Sequence, residues 1–345
     1  MRSDGVGRRV EFSPADPAIK YQGRWDRSNP GRPRASWPGF ALSLGFTGRS
    51  IAVRMDDAEN YYNVDIDGVW RGVAHAGKRE GIVELAQDLS GGAHTLRLSR
   101  RNISFERPTT ISGVLLDQGE HLFTVDNESP RMKIEFIGDS YTAAEGNEAS
   151  GATLSWKQKM PVSDSDQGFA AMVARDCQAD YVTVCRSGCG AVSDWQGLRT
   201  EQMVERYDRT LMDVAQPAWD FHAWTPDLVV VCLGINDYAG LRLPDGKVPA
   251  DNSAAFRGAY ASLLDKVRGR YPDAQILALA PHVPWAREQV SQVVRERADQ
   301  FVHYGQFDEF PPECYVADGH PTVPTHRKIA DQVMARLTEL KLAGS

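Results

Sequence analysis

The apolar residues of this chain change their spacing near residue 130, and that change restricts the fold more than any other feature. Before it, segments at residues 41–46, 50–55, 62–66, 81–85, 94–100 and 112–116 read as short strands, several of them alternating apolar with polar side chains. A period of two puts every apolar side chain on one face, the pattern of a half-buried strand. Thr47-Gly48, Asp67-Gly68 and Ser90-Gly91-Gly92 punctuate these segments as turns. An antiparallel β-sandwich or jelly roll is therefore expected. Beyond residue 130, apolar runs at 134–137, 181–184, 228–233 and 276–280 read as strands buried on both faces. Helical stretches at 168–177, 253–269, 285–300 and 324–340 lie between and after them. Strand–helix alternation of this kind predicts a parallel sheet between helices, a doubly wound α/β domain. The polar, proline-bearing join at 124–131 sets the expected division, an all-β domain over 1–125 and an α/β domain over 126–345.

Bulk properties narrow the function. A chain of 345 residues exceeds one hydrophobic core, which agrees with two domains. A formal net charge of −7 leaves no basic excess for nucleic acid or an anionic membrane surface. No apolar run is long enough to span a bilayer. Residues 1–10 are polar and lack the apolar core of a secretory signal, so the expectation is a cytoplasmic protein or one whose leader has been removed. The five cysteines are odd in number and lack zinc-type spacing, which excludes neither a single bridge, such as Cys177 with Cys185, nor simple burial, as for Cys232 in its apolar strand.

Four blocks at predicted strand ends carry the chemistry. Gly138-Asp139-Ser140 follows the strand at 134–137, where α/β sheets present their reactive groups. A helix starting there offers the Ser140 N–H to a developing oxyanion. Taken alone, the tripeptide is equally an ordinary capped turn. Gly188, in Arg186-Ser187-Gly188-Cys189-Gly190, can donate a backbone N–H at close approach. Asn236, in Leu233-Gly234-Ile235-Asn236-Asp237, is a neutral side-chain donor. His320, in Asp318-Gly319-His320-Pro321, is a base near neutral pH, and Asp318 stands two residues before it as the acceptor that would fix its tautomer. Each block is weak alone; their order and shared placement make a serine ester hydrolase the reading. The Gly-x-Ser-x-Gly elbow of ordinary α/β hydrolases is absent, since Thr142 stands two after Ser140.

With these blocks the sequence resembles the SGNH (GDSL-like) hydrolase superfamily over about residues 131–340: Ser140 in IGDSY, Gly188 in RSGCG, Asn236 in LGINDY and His320 in DGHP. The resemblance implies a flavodoxin-like sheet and an oxyanion hole from Ser140 N–H, Gly188 N–H and the Asn236 side chain. Most members carry the Asp three residues before the His; that position is Ala317 here, and the nearby acid is Asp318. The spacing is similar to carbohydrate esterase family 2, whose members also carry a jelly roll in front. Gly23-Arg24-Trp25, Ser36-Trp37-Pro38-Gly39 and Phe46-Thr47-Gly48 resemble its front domain. That family removes acetyl groups from xylan and glucomannan, some members with a Ser-His dyad.

An O-acetyl esterase on an acetylated carbohydrate is the expectation. A GDSL-type esterase or lipase on small acyl esters and an inactive carbohydrate-binding protein are the alternatives. Acyl transfer of this kind calls for no metal or cofactor. The histidines lack zinc spacing, although His320 and His326 are both candidates for facing a cleft. Trp195, Trp224 and Trp285 lie near loops that follow predicted strands and are the candidates for stacking on sugar, with Trp285 preferred. Packing is the competing role for any one of them.

Overall fold

The computed structural model describes residues 8–105, 107–125, 129–151 and 153–343. The N-terminal seven residues and residues 126–128 of the expected join lie outside that range. The chain divides into two compact units, Met1–Glu128 and Ser129–Ser345.

The first unit is all β. One antiparallel sheet runs Arg9–Phe12, Thr109–Asp117, Ile51–Asp57, Lys78–Ala86, with Arg34–Ala35 beside Thr109–Asp117. The other runs Leu122–Phe123, Ala41–Thr47, Ala93–Arg100, Tyr61–Ile66, Val69–His75, with Lys20–Gln22 beside Ala41–Thr47. The two sheets share one core, because Val53, Met55, Val114 and Leu116 from the first meet Leu42, Leu44, Phe46, Val64 and Leu98 from the second. Trp25 and Trp37 of the front motifs are 5% and 1% exposed, so those motifs are explained by packing. Val69–His75 is missed by the sequence pattern because this strand is mostly exposed and its Val69, Trp70 and Val73 face solvent.

The second unit contains a five-stranded parallel sheet. Its strands are β1 (Met132–Gly138), β2 (Ala179–Cys185), β3 (Leu228–Cys232), β4 (Gln275–Ala280) and β5 (Val302–Gln306). Their order is β2-β1-β3-β4-β5, the flavodoxin-like order. The fifth strand is not read from the sequence: it lies at the edge, half-buried, so His303 and Tyr304 interrupt the apolar run. The helices are α1 (Ser140–Ala143), α2 (Trp156–Lys159), α3 (Phe169–Asp176), α4 (Met203–Arg206), α5 (Ile235–Leu241), α6 (Ala250–Arg270), α7 (Pro284–Arg297) and α8 (Val323–Glu339). Phe169 and Val173 of α3 and Ile329 and Val333 of α8 close a core over Phe136, Val230 and Leu277. Helices α6 and α7 contribute nothing to that core and pack on each other. No described helix is long and apolar enough to cross a membrane. The cysteines form no disulfide among the described residues; Cys177 instead sets its sulfur 3.5 Å from Met334 Sδ.

The strand order positions the site. β1 lies between β2 and β3, and Gly138 at its end is in register with both Cys185 and Cys232. The loop leaving β2, which carries Gly188, and the start of α5 after β3, which carries Asn236, therefore flank the turn that carries Ser140.

Candidate active site

Ser140 opens α1, and Asp139 caps it by accepting from the Tyr141 N–H at 3.0 Å. Asp139 is 1% exposed and also accepts from Asn236 Nδ2 at 3.3 Å. Burial, reinforced by the like charges of Asp237 and Glu145, pushes its carboxyl up to about 7, against the pull of the Tyr141 N–H. These bonds hold the turn that carries Ser140.

Asn236 ties two of the loops together, since its Nδ2 donates to Cys189 O at 3.0 Å as well as to Asp139. Its neighbour Asp237, fully buried on α5, holds the loop after β2 by its backbone. Oδ2 accepts from Ala191 N at 3.0 Å, and Oδ1 from Val192 N at 2.8 Å and Ser193 N at 3.1 Å. Burial pushes Asp237 up to about 6, opposed by those three N–H groups. Gly190 allows this approach: a Cβ there would stand 2.1 Å from Ser193 O and 2.5 Å from Asp237 Oδ2. Gly188 takes a left-handed φ of 77°, and the Trp195 indole covers it, 3.1 Å from where a Cβ would be. Burial raises the Cys189 thiol to about 12, which keeps it protonated and removes it as a nucleophile.

His320 is half-buried, and the turn before it departs from expectation. Its Nδ1 lies 2.5 Å from the Ala317 carbonyl. A carbonyl only accepts, so Nδ1 carries the proton and Nε2 is the basic nitrogen. The partner expected at Asp318 is therefore corrected: its carboxylate is turned to Lys159 Nζ, 3.4 Å away. The cause is backbone geometry. Ala317, Asp318 and Gly319 all have positive φ, 42°, 66° and 85°, which brings the Ala317 carbonyl inward and leaves Asp318 exposed. Tyr141 links this turn to α1: its hydroxyl donates to Gly319 O at 2.8 Å, and its ring is 6.0 Å from the His320 ring.

His326 does not face a cleft. It is fully buried, stacks on Phe169 at 6.2 Å, accepts from Phe169 N at 3.3 Å, and is pushed down to about 3 by burial. The tryptophans separate three ways. Trp195 is 58% exposed beside Gly188. Trp285 is packed between helices, 4.9 Å from Phe256 and 6.0 Å from Tyr238, and donates to Ser253 Oγ at 3.0 Å. Trp224 donates to Asp180 Oδ2 at 2.9 Å, at the start of β2. Ser140 lies beyond the other end of the sheet, about 16 Å along the strands, so Trp224 is corrected to a structural residue. Asp237, Glu145 and Lys159 are missed by sequence reasoning. Asp237 adjoins Asn236 in its block, but the Glu145–Lys159 pair joins separate segments and leaves no local signal.

The raised carboxyls make a pH prediction. A group whose folded value is raised binds its proton more tightly in the folded state, so its stabilisation is full below pH 4 and lost as pH rises through 7. Asp139→Asn removes that group's share. The difference in melting temperature, variant minus wild type, is expected to rise steadily between pH 4 and 7.5; a constant difference in calorimetry would overturn the assignment.

Comparisons agree with the residues. Residues 21–125 match the carbohydrate esterase 2 N-terminal family, and residues 136–328 match the GDSL-like lipase/acylhydrolase family. The chain is 30% identical over 335 residues to the cellulase/esterase CelE of Acetivibrio thermocellus, covering 93% of this chain and 39% of that protein. It is 26% identical over 235 residues to an acetylxylan esterase / glucomannan deacetylase of Cellvibrio japonicus, covering 68% and 60%. The chain thus spans less than two thirds of either relative. A solved family two carbohydrate esterase from Clostridium thermocellum, in complex with cellohexaose, superposes with a TM-score of 0.83 at 28% identity, covering 94% of this chain and 99% of that one. With its second unit matched over more than half of the whole sequence and its first unit matched as well, the chain belongs to the GDSL-like lipase/acylhydrolase family and, within it, is most like the family 2 carbohydrate esterases.

Proposed function

We propose that this chain is a serine esterase that removes O-acetyl groups from polysaccharides or oligosaccharides of the xylan or glucomannan type. The observation that carries the reading is the β2-β1-β3 order, by which the Gly188 loop and the start of α5 with Asn236 flank the Ser140 turn. His320 Nε2 takes the proton from Ser140 Oγ, which attacks the ester carbonyl. The oxyanion forms against the N–H groups of Ser140 and Gly188 and the Asn236 amide, whose longer bond, to Asp139, is the one it gives up. His320 then protonates the leaving sugar hydroxyl. Next it takes a proton from water, which attacks the acyl-serine, and returns that proton to Ser140 Oγ as the acyl bond breaks and acetate leaves.

Support for a carbohydrate substrate comes from the names of the relatives, an acetylxylan esterase / glucomannan deacetylase among them, and from the exposed Trp195 indole at the Gly188 loop. The front domain, two antiparallel sheets around one core, is read as a jelly roll. Acetate release from acetylated xylan and glucomannan, set beside p-nitrophenyl acetate and octanoate, tests the reading. Faster turnover of octanoate than acetate would overturn it. Trp195→Ala is expected to raise KM on the polysaccharides by about tenfold, worth roughly 1.4 kcal/mol of stacking, with KM for p-nitrophenyl acetate little changed. Trp224→Ala is expected to leave both unchanged.

A further inference from the structure

Segments distant in sequence meet beside His320. Glu145 lies just past α1, its N–H donating to Ser140 O at 3.0 Å, and is 7% exposed. Its Oε1 is 2.6 Å from Lys159 Nζ on α2, and the same ammonium reaches Asp318 Oδ2 at 3.4 Å. The next residue, Gly146, abuts the histidine turn: a Cβ on it would stand 2.8 Å from Ala317 Cβ. Backbone bonds fasten the two stretches together, Ala317 N to Gly151 O at 2.8 Å and Val323 N to Asn147 O at 3.1 Å.

The Ala317 carbonyl fixes the His320 tautomer but carries no net charge. The imidazolium that forms when Ser140 gives up its proton needs an anion more than an orienting dipole. Tyr141, Glu145 and His326 are titratable groups that interact with it, and Lys159 pairs with both Glu145 and Asp318. Burial keeps Tyr141 protonated and His326 neutral. Asp318 is exposed and turned to Lys159. Burial works against ionisation of Glu145, yet the cations it faces, His320 first and Lys159 next, hold its carboxyl below the ordinary range.

We propose that Glu145 is a positioning residue for His320, supplying from the segment after α1 the negative charge that Ala317 cannot, with Lys159 setting how much of it His320 feels. The inference rests on the assignment of Ser140 and His320 as nucleophile and base. Its test is the acid limb of kcat/KM on p-nitrophenyl acetate, paired with an NMR titration of the His320 ring in a Ser140→Ala background. Removing an anion favours the neutral ring, so Glu145→Gln is expected to move the midpoint down by about one pH unit and kcat down about tenfold. Lys159→Met exposes His320 to the full carboxylate and is expected to move the midpoint up. Glu145→Asp is expected to restore part of the wild-type profile. A general loss of structure would not split the two single variants in opposite directions. Shifts of the same sign, or an unmoved midpoint in folded Glu145→Gln, would overturn the proposal. Should Glu145→Gln fail to fold, Lys159→Met decides alone, and the absence of an upward shift counts against it. Turnover that survives in Ser140→Ala or His320→Ala would instead sink the underlying assignment. Loss of turnover there with an unmoved midpoint in Glu145→Gln would remove only the role given to Glu145.

Discussion

Ser140→Ala is expected to lower kcat on p-nitrophenyl acetate by about 10⁴- to 10⁶-fold, the scale on which other serine hydrolases lose turnover when the nucleophile is removed. The substitution deletes one oxygen and leaves the surroundings in place. Asp139 still caps α1, and Asn236 still bridges Asp139 and the Cys189 carbonyl. Melting temperature should therefore stay within a few degrees of wild type. What remains is rate enhancement from the backbone donors and from binding alone, typically about 10³- to 10⁴-fold over water. A folded Ser140→Ala protein with wild-type turnover would place the nucleophile elsewhere. Cys189, the other nucleophilic side chain in these loops, is a poor substitute because burial keeps its thiol protonated.

The second large effect is expected at a residue that need not touch substrate. Asp237→Ala removes the acceptor for three backbone N–H groups, those of Ala191, Val192 and Ser193. Orphaned buried donors cost about 1–3 kcal/mol each. The variant also sheds the burial cost that holds Asp237 near 6, which offsets part of the loss. A net destabilisation of about 3 kcal/mol is expected, or roughly 6–12 °C in melting temperature for a unit of this size. The loop so released carries Gly188, and its Cys189 carbonyl is the anchor of Asn236. Two of the three oxyanion donors then lose their placement, and kcat should fall by about 100- to 1,000-fold. Asp237→Asn keeps one oxygen to accept and should fall between. Calorimetry and the esterase assay on the folded protein check both parts. A drop in stability with kcat unchanged would separate the loop from the oxyanion site.

Much of this site is legible in the sequence because its functional residues follow strands. A run such as Leu-Val-Val-Val-Cys announces a buried strand, and a strand's end fixes where the next residues emerge. The candidates Ser140, Gly188 and Asn236 are all proposed in that way. Legibility fails where the signal depends on partners distant in the chain. Asp318 has the right chemistry and a plausible spacing, yet three consecutive left-handed residues turn it away and give its place to a main-chain carbonyl, which has no residue type to recognise. The tryptophans are not told apart in the sequence for the same reason: Trp195, Trp224 and Trp285 share loop-like surroundings, and only their neighbours distinguish an exposed ring from a packed one.

The sequence by itself determined the two fold classes, the order of the four blocks and which residues are proposed as nucleophile and base, because apolar periodicity and strand ends are local properties of the chain. The tertiary structure decided what each charge faces. It set Ala317 O against His320, Asp237 under the Gly188 loop, and Glu145 with Lys159 beside the histidine turn. Burial and pairing set the state of an ionisable side chain, and both are made by segments far apart in the chain, as with Tyr141 and Gly319, between which no local pattern passes.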